Sequence, residues 1–177
     1  KEEVIVPTLT FISPVNAIKY NNLNPIFMDS DNYLNIDQDK TIEFLKTNTK
    51  QQTKKNTKEK ITVNKKTKKR IGAIVIVHTF GNPAKIKKLI NLCKKLNIRV
   101  IEDNAESIGA YYKTNTNKKI YTGSMGDISC VSFNGNKIIT SAGGGMILTN
   151  NKKYEKKARY LINQAKNNSL SFVHDEV

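Results

Sequence analysis

A chain of 177 residues is long enough for one domain with a true hydrophobic core, and its apolar residues fall in short runs, none near the roughly 18 that a membrane helix needs. The formal charge of +15 raises a nucleic-acid or acidic-surface reading, but the charge is uneven: residues 46–70 hold eleven Lys/Arg against one acid, Glu59. Few aromatics interleave with those lysines, so they read as a solvated face and nucleic acid is not the expected partner.

Residues 3–6 have the pattern of a short buried strand, closed by Pro7. Ser13-Pro14 predicts a helix to about Tyr20, with the serine as N-cap and proline at the first helical position. Residues 25–28 form a second strand, and Asp37 caps a helix over 38–46. The polar, lysine-rich stretch 46–70 is expected as an exposed basic loop, with a weak hairpin around 61–63. Residues 73–77 are continuously apolar, which suits a strand covered on both faces. Pro83 opens a helix to Leu96, whose apolar positions recur at helical spacing. A buried strand at 98–101, a polar loop at 112–124, strands at 128–132 and 146–149, and a helix over 152–165 follow. Strand and helix alternate, so the predicted fold class is α/β, layered α/β/α around a mostly parallel sheet.

Cys93 and Cys130 lie in apolar runs without metal-ligand spacing, which predicts buried free thiols in a reducing, cytoplasmic setting and no metal. The opening KEEVIVP is not a signal peptide and has no methionine, and the ending SFVHDEV closes no element, so truncation at both ends is expected.

In such sheets ligands gather at the carboxyl ends of strands. His78 and the turn Gly81-Asn82-Pro83 follow one buried strand, and Glu102-Asp103 follow the next. Ser132, Phe133, Asn134 and Lys137 follow the third, with Gly143-Gly144-Gly145 beyond. Each has a plain structural reading as well: a surface lysine in a lysine-rich chain, a turn aspartate, a strand-end serine. Their convergence at one sheet edge is what favours chemistry.

Six segments, in order and over most of the chain, are similar to the DegT-type family of sugar-nucleotide aminotransferases, fold type I enzymes that use pyridoxal 5'-phosphate (PLP). They are EVIVPTLTFISPVNAI, PIFMD, NID, AIVIVHTFGNPA, VIEDNAESIGAYYK and GSMGDISCVSFNGNKIITSAGGGMILTN. The most specific signal is IED followed by SF-x-x-x-K and a glycine cluster. FNGNKIIT, with NPA after the histidine, most resembles the branch that makes 4-amino-4,6-dideoxy sugars for bacillosamine or legionaminic-type glycans.

The resemblance implies that Lys137 carries PLP and shuttles a proton, while Asp103 keeps the pyridine nitrogen protonated. It implies Ser132 at the cofactor phosphate and Phe11 stacked on the ring. Glu106 stands where relatives often have Gln or His near the phenolic oxygen, a place where an ionised Glu cannot donate. Asn134 would face substrate, and His78 is either a substrate-side residue or a packed, hydrogen-bonded one. The implied activity is amino transfer, from glutamate, to the 4-keto group of a nucleotide-linked 4-keto-6-deoxy sugar for cell-surface glycans, by a cytoplasmic homodimer.

Family members carry a phosphate-binding segment before the first strand and a small C-terminal domain after the last helix. Residues 1–177 are therefore expected as part of the large PLP-binding domain, inactive alone, with apolar faces uncovered around residues 3–6 and on the helix after Lys152. Two alternatives stand beside this: a PLP-fold sugar dehydratase, in which the resemblance calls for histidine where Lys137 stands, and a non-catalytic remnant.

Overall fold

The apolar runs assemble into a six-stranded sheet in the computed structural model of the chain, which describes residues 1–166. The ending SFVHDEV lies outside the described residues. In chain order the sheet uses β1 (Glu3–Pro7), β2 (Asn24–Met28), β5 (Ile71–Val77), β6 (Arg99–Asp103), β9 (Ile128–Ser132) and β10 (Gly145–Leu148). The spatial order is β10-β9-β6-β5-β1-β2, parallel throughout except for the antiparallel edge strand β10. The strands at 98–101 and 128–131 are thus neighbours, and the fold is the α/β, mostly parallel one expected.

Side chains alternate across a strand, so each buried strand feeds two cores. Val4, Val6, Val75 and Val77 pack on one face with Ile18 of α1 (Ile12–Tyr20). Ile5, Ile74 and Ile76 pack on the other with Leu45 of α2 (Gln38–Thr47) and Leu89, Ile90 and Cys93 of α3 (Lys87–Lys95). Helices therefore cover both faces, which is why residues 73–77 read as a continuous apolar run. Asp37 caps α2 as predicted, accepting from the amides of Asp39 and Lys40 at 3.0 and 2.9 Å.

Several expectations change. Residues 46–70 are not a loop: after α2 they form the hairpin β3 (Thr49–Thr53) and β4 (Lys60–Asn64). The inner strand is buried through Ile61, Thr62 and Val63. Thr62 Oγ1 donates to the Leu96 carbonyl at 2.6 Å, so the hairpin docks on the end of α3. Its partner strand, TKQQT, is wholly polar and left no periodic trace in the sequence. A second hairpin, β7 (Tyr111–Lys113) with β8 (Lys119–Tyr121), occupies the supposed polar loop, stapled by the edge-on ring pair Tyr111–Tyr121.

Proline does not set either helix start. α1 begins at Ile12 with no side-chain cap, and Pro14 falls inside its first turn, where amides have no intrahelical acceptor. α3 begins at Lys87, because the backbone after Pro83 is tied elsewhere: the Ala84 amide donates to His78 Nδ1 at 3.2 Å and its carbonyl accepts from the Tyr112 hydroxyl at 2.7 Å.

Every residue of β1 is buried, so the sheet around residues 3–6 is covered. The last helix among the described residues, α4 (Lys152–Ile162), buries none of its residues and leaves Leu161 and Ile162 exposed. Cys93 is buried, which pushes its thiol up to about 12, whereas Cys130 is exposed, on the stretch of β9 that borders the cavity described below. No helix among the described residues is long and apolar enough to cross a membrane.

Candidate active site

The chain runs from β1 through α1 to β2 on one side, then crosses to β5 on the other. The connections diverge between β1 and β5, and a crevice opens beyond the carboxyl ends of these strands, where parallel sheets bind ligands. A cavity of about 660 Å³ occupies this place. All seven residues singled out in the sequence border it: Phe11 after β1, His78 after β5, Asp103 and Glu106 at the end of β6, and Ser132, Asn134 and Lys137 at and after β9.

Lys137 Nζ lies 3.2 Å from Glu106 Oε1, with its side chain largely enclosed. The other carboxylate oxygen of Glu106 accepts from the Phe80 amide at 3.0 Å. Glu106 thus accepts on both sides, as an ionised carboxylate does. Asp103 Oδ1 accepts from the Ala105 amide at 3.1 Å. Burial pushes the Asp103 carboxyl above its ordinary range, against the pull of that amide and of Lys137. Among the described residues no cation forms an ion pair with it. Ser132 Oγ accepts from the Asn134 amide at 3.3 Å, and the Asn134 side chain donates to Asn136 at 3.1 Å. Phe11 is 78% exposed, its ring turned out of both cores.

His78 has the packed arrangement. Its side chain is closed to solvent; Nδ1 accepts from the Ala84 amide, so the ring proton sits on Nε2 and donates to Glu102 Oε2 at 3.0 Å. Glu102 itself was not singled out by sequence reasoning. It is fully buried and also accepts from the amides of Gly123, Met125 and Gly126 at 3.0, 2.7 and 2.5 Å. Burial raises its pKa, but the hydrogen bonds from His78, Gly126 and Gly123 outweigh that and hold the carboxyl below its ordinary value. The signal in the sequence was a charged residue inside a buried run, which needs a partner. Gly126 is required here, since a Cβ would come within 2.9 Å of the Val100 carbonyl.

Two hydroxyls on the cavity are also new. Thr10 Oγ1 and Thr79 Oγ1 are enclosed without a hydrogen-bond partner among the described residues, and both residues line the cavity. Enclosed polar atoms are normally satisfied, so these two are suited to a polar ligand. Asn35, from the loop before α2, accepts from the Thr79 amide at 3.0 Å and donates to the Asn82 carbonyl at 3.2 Å, holding the turn that follows β5.

Residues 1–177 match the family model of the DegT/DnrJ/EryC1/StrS aminotransferase family. The chain is 40% identical over 176 residues to GDP-perosamine synthase of Escherichia coli O157:H7, covering 99% of this chain and 41% of that protein. It is 35% identical over 163 residues to the UDP-N-acetyl-3-dehydro-alpha-D-glucosamine 3-aminotransferase of Acidithiobacillus ferrooxidans, covering 92% and 37%. Among solved structures, a DegT DnrJ EryC1 StrS aminotransferase from Brucella abortus superposes with a TM-score of 0.77 at 22% identity, over 98% of this chain and 42% of that one. The chain spans about two fifths of the length of these curated relatives.

Proposed function

Because the chain belongs to the DegT/DnrJ/EryC1/StrS aminotransferase family, a family of PLP-dependent enzymes acting on sugar nucleotides, we propose that its cavity holds PLP. The proposed reaction is transfer of an amino group from glutamate to the 4-keto group of a 4-keto-6-deoxy sugar nucleotide, for cell-surface glycan synthesis. The observation that carries this is the convergence on one cavity of Lys137, Asp103, Ser132 and Phe11, four residues of different chemistry drawn from three strand ends.

The donor set fits the cofactor. It offers an amine, a partly buried carboxylate with no ion-pair cation among the described residues, a strand-end hydroxyl and an exposed aromatic ring, with the free hydroxyls of Thr10 and Thr79 beside them. When bound, PLP supplies an electron sink for the carbanion formed at the transferred carbon. Lys137 would anchor it through Nζ and, once free, accept and return a proton at Nζ. Asp103 would keep a proton on the ring nitrogen; a carboxylate disfavoured by burial is stabilised by a cation set against it. Ser132 Oγ would hold the phosphate, and Phe11 would cover one ring face. Glu106 would hold Nζ in place through the contact it makes with Lys137. Asn134, at the open side, would meet substrate, while His78 supports β6 from beneath through Glu102.

The relatives are named for different sugars, so the 4-keto acceptor and the 4-amino-4,6-dideoxy branch rest on the FNGNKIIT and NPA resemblance. The complete enzyme is proposed to be a cytoplasmic homodimer. Lysine at position 137 favours amino transfer over the dehydratase alternative.

The test is chemical. The full-length protein incubated with PLP should turn yellow, and borohydride should fix the cofactor on the peptide containing Lys137. Label on another lysine would overturn the assignment. Incubation with glutamate and a panel of keto-sugar nucleotides should give an amino sugar nucleotide; amination of a simple keto acid only would move the protein to another aminotransferase class.

A further inference from the structure

Phe80 stands in the turn after β5 with its backbone at φ 53, ψ 29. It is the one aromatic among the described non-glycine residues with positive φ. This left-handed region is disfavoured for a bulky side chain and open to glycine. The ring gains nothing from packing in return, for it is 77% exposed while lining the cavity. The surroundings nevertheless enforce the conformation. Glu106 accepts from the Phe80 amide, buried Asn35 accepts from the Thr79 amide, and the Gly81 amide donates to the His78 carbonyl at 3.2 Å. A Cβ on Gly81 would lie 2.9 Å from the Glu106 carbonyl, so the turn is pressed against the neighbouring loop.

A strained residue whose side chain stabilises neither core is retained for what it presents outward. A second observation on the same turn points to a ligand. The Thr79 hydroxyl is enclosed with no partner among the described residues, and Thr79, only 6% exposed, lines the same cavity.

We propose that Phe80 is a ligand-binding residue of this site, stacking on the heteroaromatic base of the nucleotide substrate. This rests on the sugar-nucleotide reading above. Under that reading two ligands carry a planar ring, the cofactor and the base. The cofactor ring is matched by Asp103 and Phe11, which leaves the exposed ring of Phe80, on the same cavity, for the base. Stacking on an aromatic side chain tolerates any base, since each has a π face. Glu106 connects the two ends: one oxygen holds the Phe80 amide and the other holds Lys137 Nζ, which fixes the platform relative to the reacting amine.

The experiment is calorimetric titration of the full-length protein and its Phe80→Gly, Phe80→Ala and Phe80→Trp variants with UDP, GDP, dTDP and CMP, and separately with PLP. Phe80→Gly and Phe80→Ala should each bind the preferred nucleotide about tenfold more weakly, and Phe80→Trp should bind within about threefold of wild type. PLP affinity should stay within about twofold throughout. Phe80→Gly should melt within about 1 °C of wild type or above it, because glycine relieves the left-handed strain. Unchanged nucleotide affinity in Phe80→Gly would overturn the proposal, as would a fall in PLP affinity alone. A drop in melting temperature of more than about 5 °C in Phe80→Gly would make Phe80 a packing residue and also overturn it. Failure of the wild-type protein to bind any of the four nucleotides would sink the sugar-nucleotide reading and this proposal with it; nucleotide binding that ignores Phe80 would sink only the second.

Discussion

Beneath the cavity, Glu102 accepts four hydrogen bonds in a space closed to solvent, and its partners come from His78 just after β5 and from the segment leading into β9. The loop after β9 that carries Lys137 is built differently. Residues 139–145 are all exposed, and the loop is held by its own short-range bonds, such as Phe133 to Gly144 and Ser141 to Phe133, both 3.0 Å. Added Cβ atoms at Gly135 and Gly143 would meet nothing within 4 Å. The floor therefore fixes where Asp103 sits, because Asp103 follows Glu102 on the same strand. The wall leaves the amine tied mainly by one ion pair, a contact that reaction partners can displace. Few buried contacts and many exposed hydrogen bonds are the features of segments that open at low cost. A fixed charge beside a replaceable amine contact is the division of labour that proton shuttling on a bound ring calls for.

Breaking the floor should have the largest effect. Glu102→Ala leaves the His78 Nε2 proton and three amides buried without an acceptor, a loss of about 3–5 kcal/mol that urea unfolding would register. Glu102→Gln keeps the shape and part of the acceptance and should lose less. The wild-type contribution is also pH-dependent. The folded carboxyl lies below its ordinary 4.5, so its stabilisation is complete above about that pH and is lost as pH falls through the lowered value. A Glu102→Ala protein as stable as wild type at neutral pH would mean that the floor is not what holds β5, β6 and β9 together.

The wall should behave in the opposite way. Lys137→Ala removes one partly exposed ion pair, so stability should move by no more than about 1 kcal/mol while borohydride labelling disappears. Asp103→Asn sits between the two. Burial raises the folded pKa above 3.8, so the ionised group destabilises the fold increasingly as pH rises through that raised value. The asparagine protein should be at least as stable as wild type at pH 7, with the gap closing once pH falls below about 3.8, the ordinary value. Its turnover should fall sharply all the same, since a neutral amide cannot hold a proton on the ring nitrogen. Urea titrations at both pH values check the first part, and the amino-transfer assay checks the second.

The contrast also accounts for what the sequence made legible. β1, β5, β6 and β9 are apolar enough on both faces to be found without periodicity, and the candidate residues were found by looking just past their ends. Lys137, Asp103 and Ser132 fall on one cavity for that reason. What stayed hidden depends on partners distant in sequence. Glu102 looks like the start of an acidic turn until Gly123 and Gly126 are brought against it. Phe80 looks like a loop aromatic until its backbone is known to be left-handed. β3 has no apolar face, so only its pairing with β4 makes it a strand.

The smallest effect should come from the tip of the β3–β4 hairpin, within the stretch 46–70 that holds eleven of the chain's Lys/Arg. Lys54, Lys55 and Lys58 project there, and the ion pair between Lys54 and Glu59, at 3.6 Å, has both side chains about half exposed. Such pairs contribute about 0–1 kcal/mol and are screened by salt. The hairpin is anchored at its other end, by buried Ile61 and Val63, by Thr62 on the Leu96 carbonyl, and by Asn64 donating to buried Glu3 at 3.0 Å. Glu59 also keeps a second partner, Arg70, at 3.1 Å. Replacing all three lysines with glutamine should therefore change stability by less than about 0.5 kcal/mol, in low salt and in high. A loss above about 1 kcal/mol that salt abolishes would mean that the tip charges stabilise the docked hairpin, and the division between an anchored base and a solvated tip would fail. The same variant tests the partner question. If wild-type protein bound random DNA with a steep salt dependence and the triple variant did not, the lysines would be a binding face and not a solvated one.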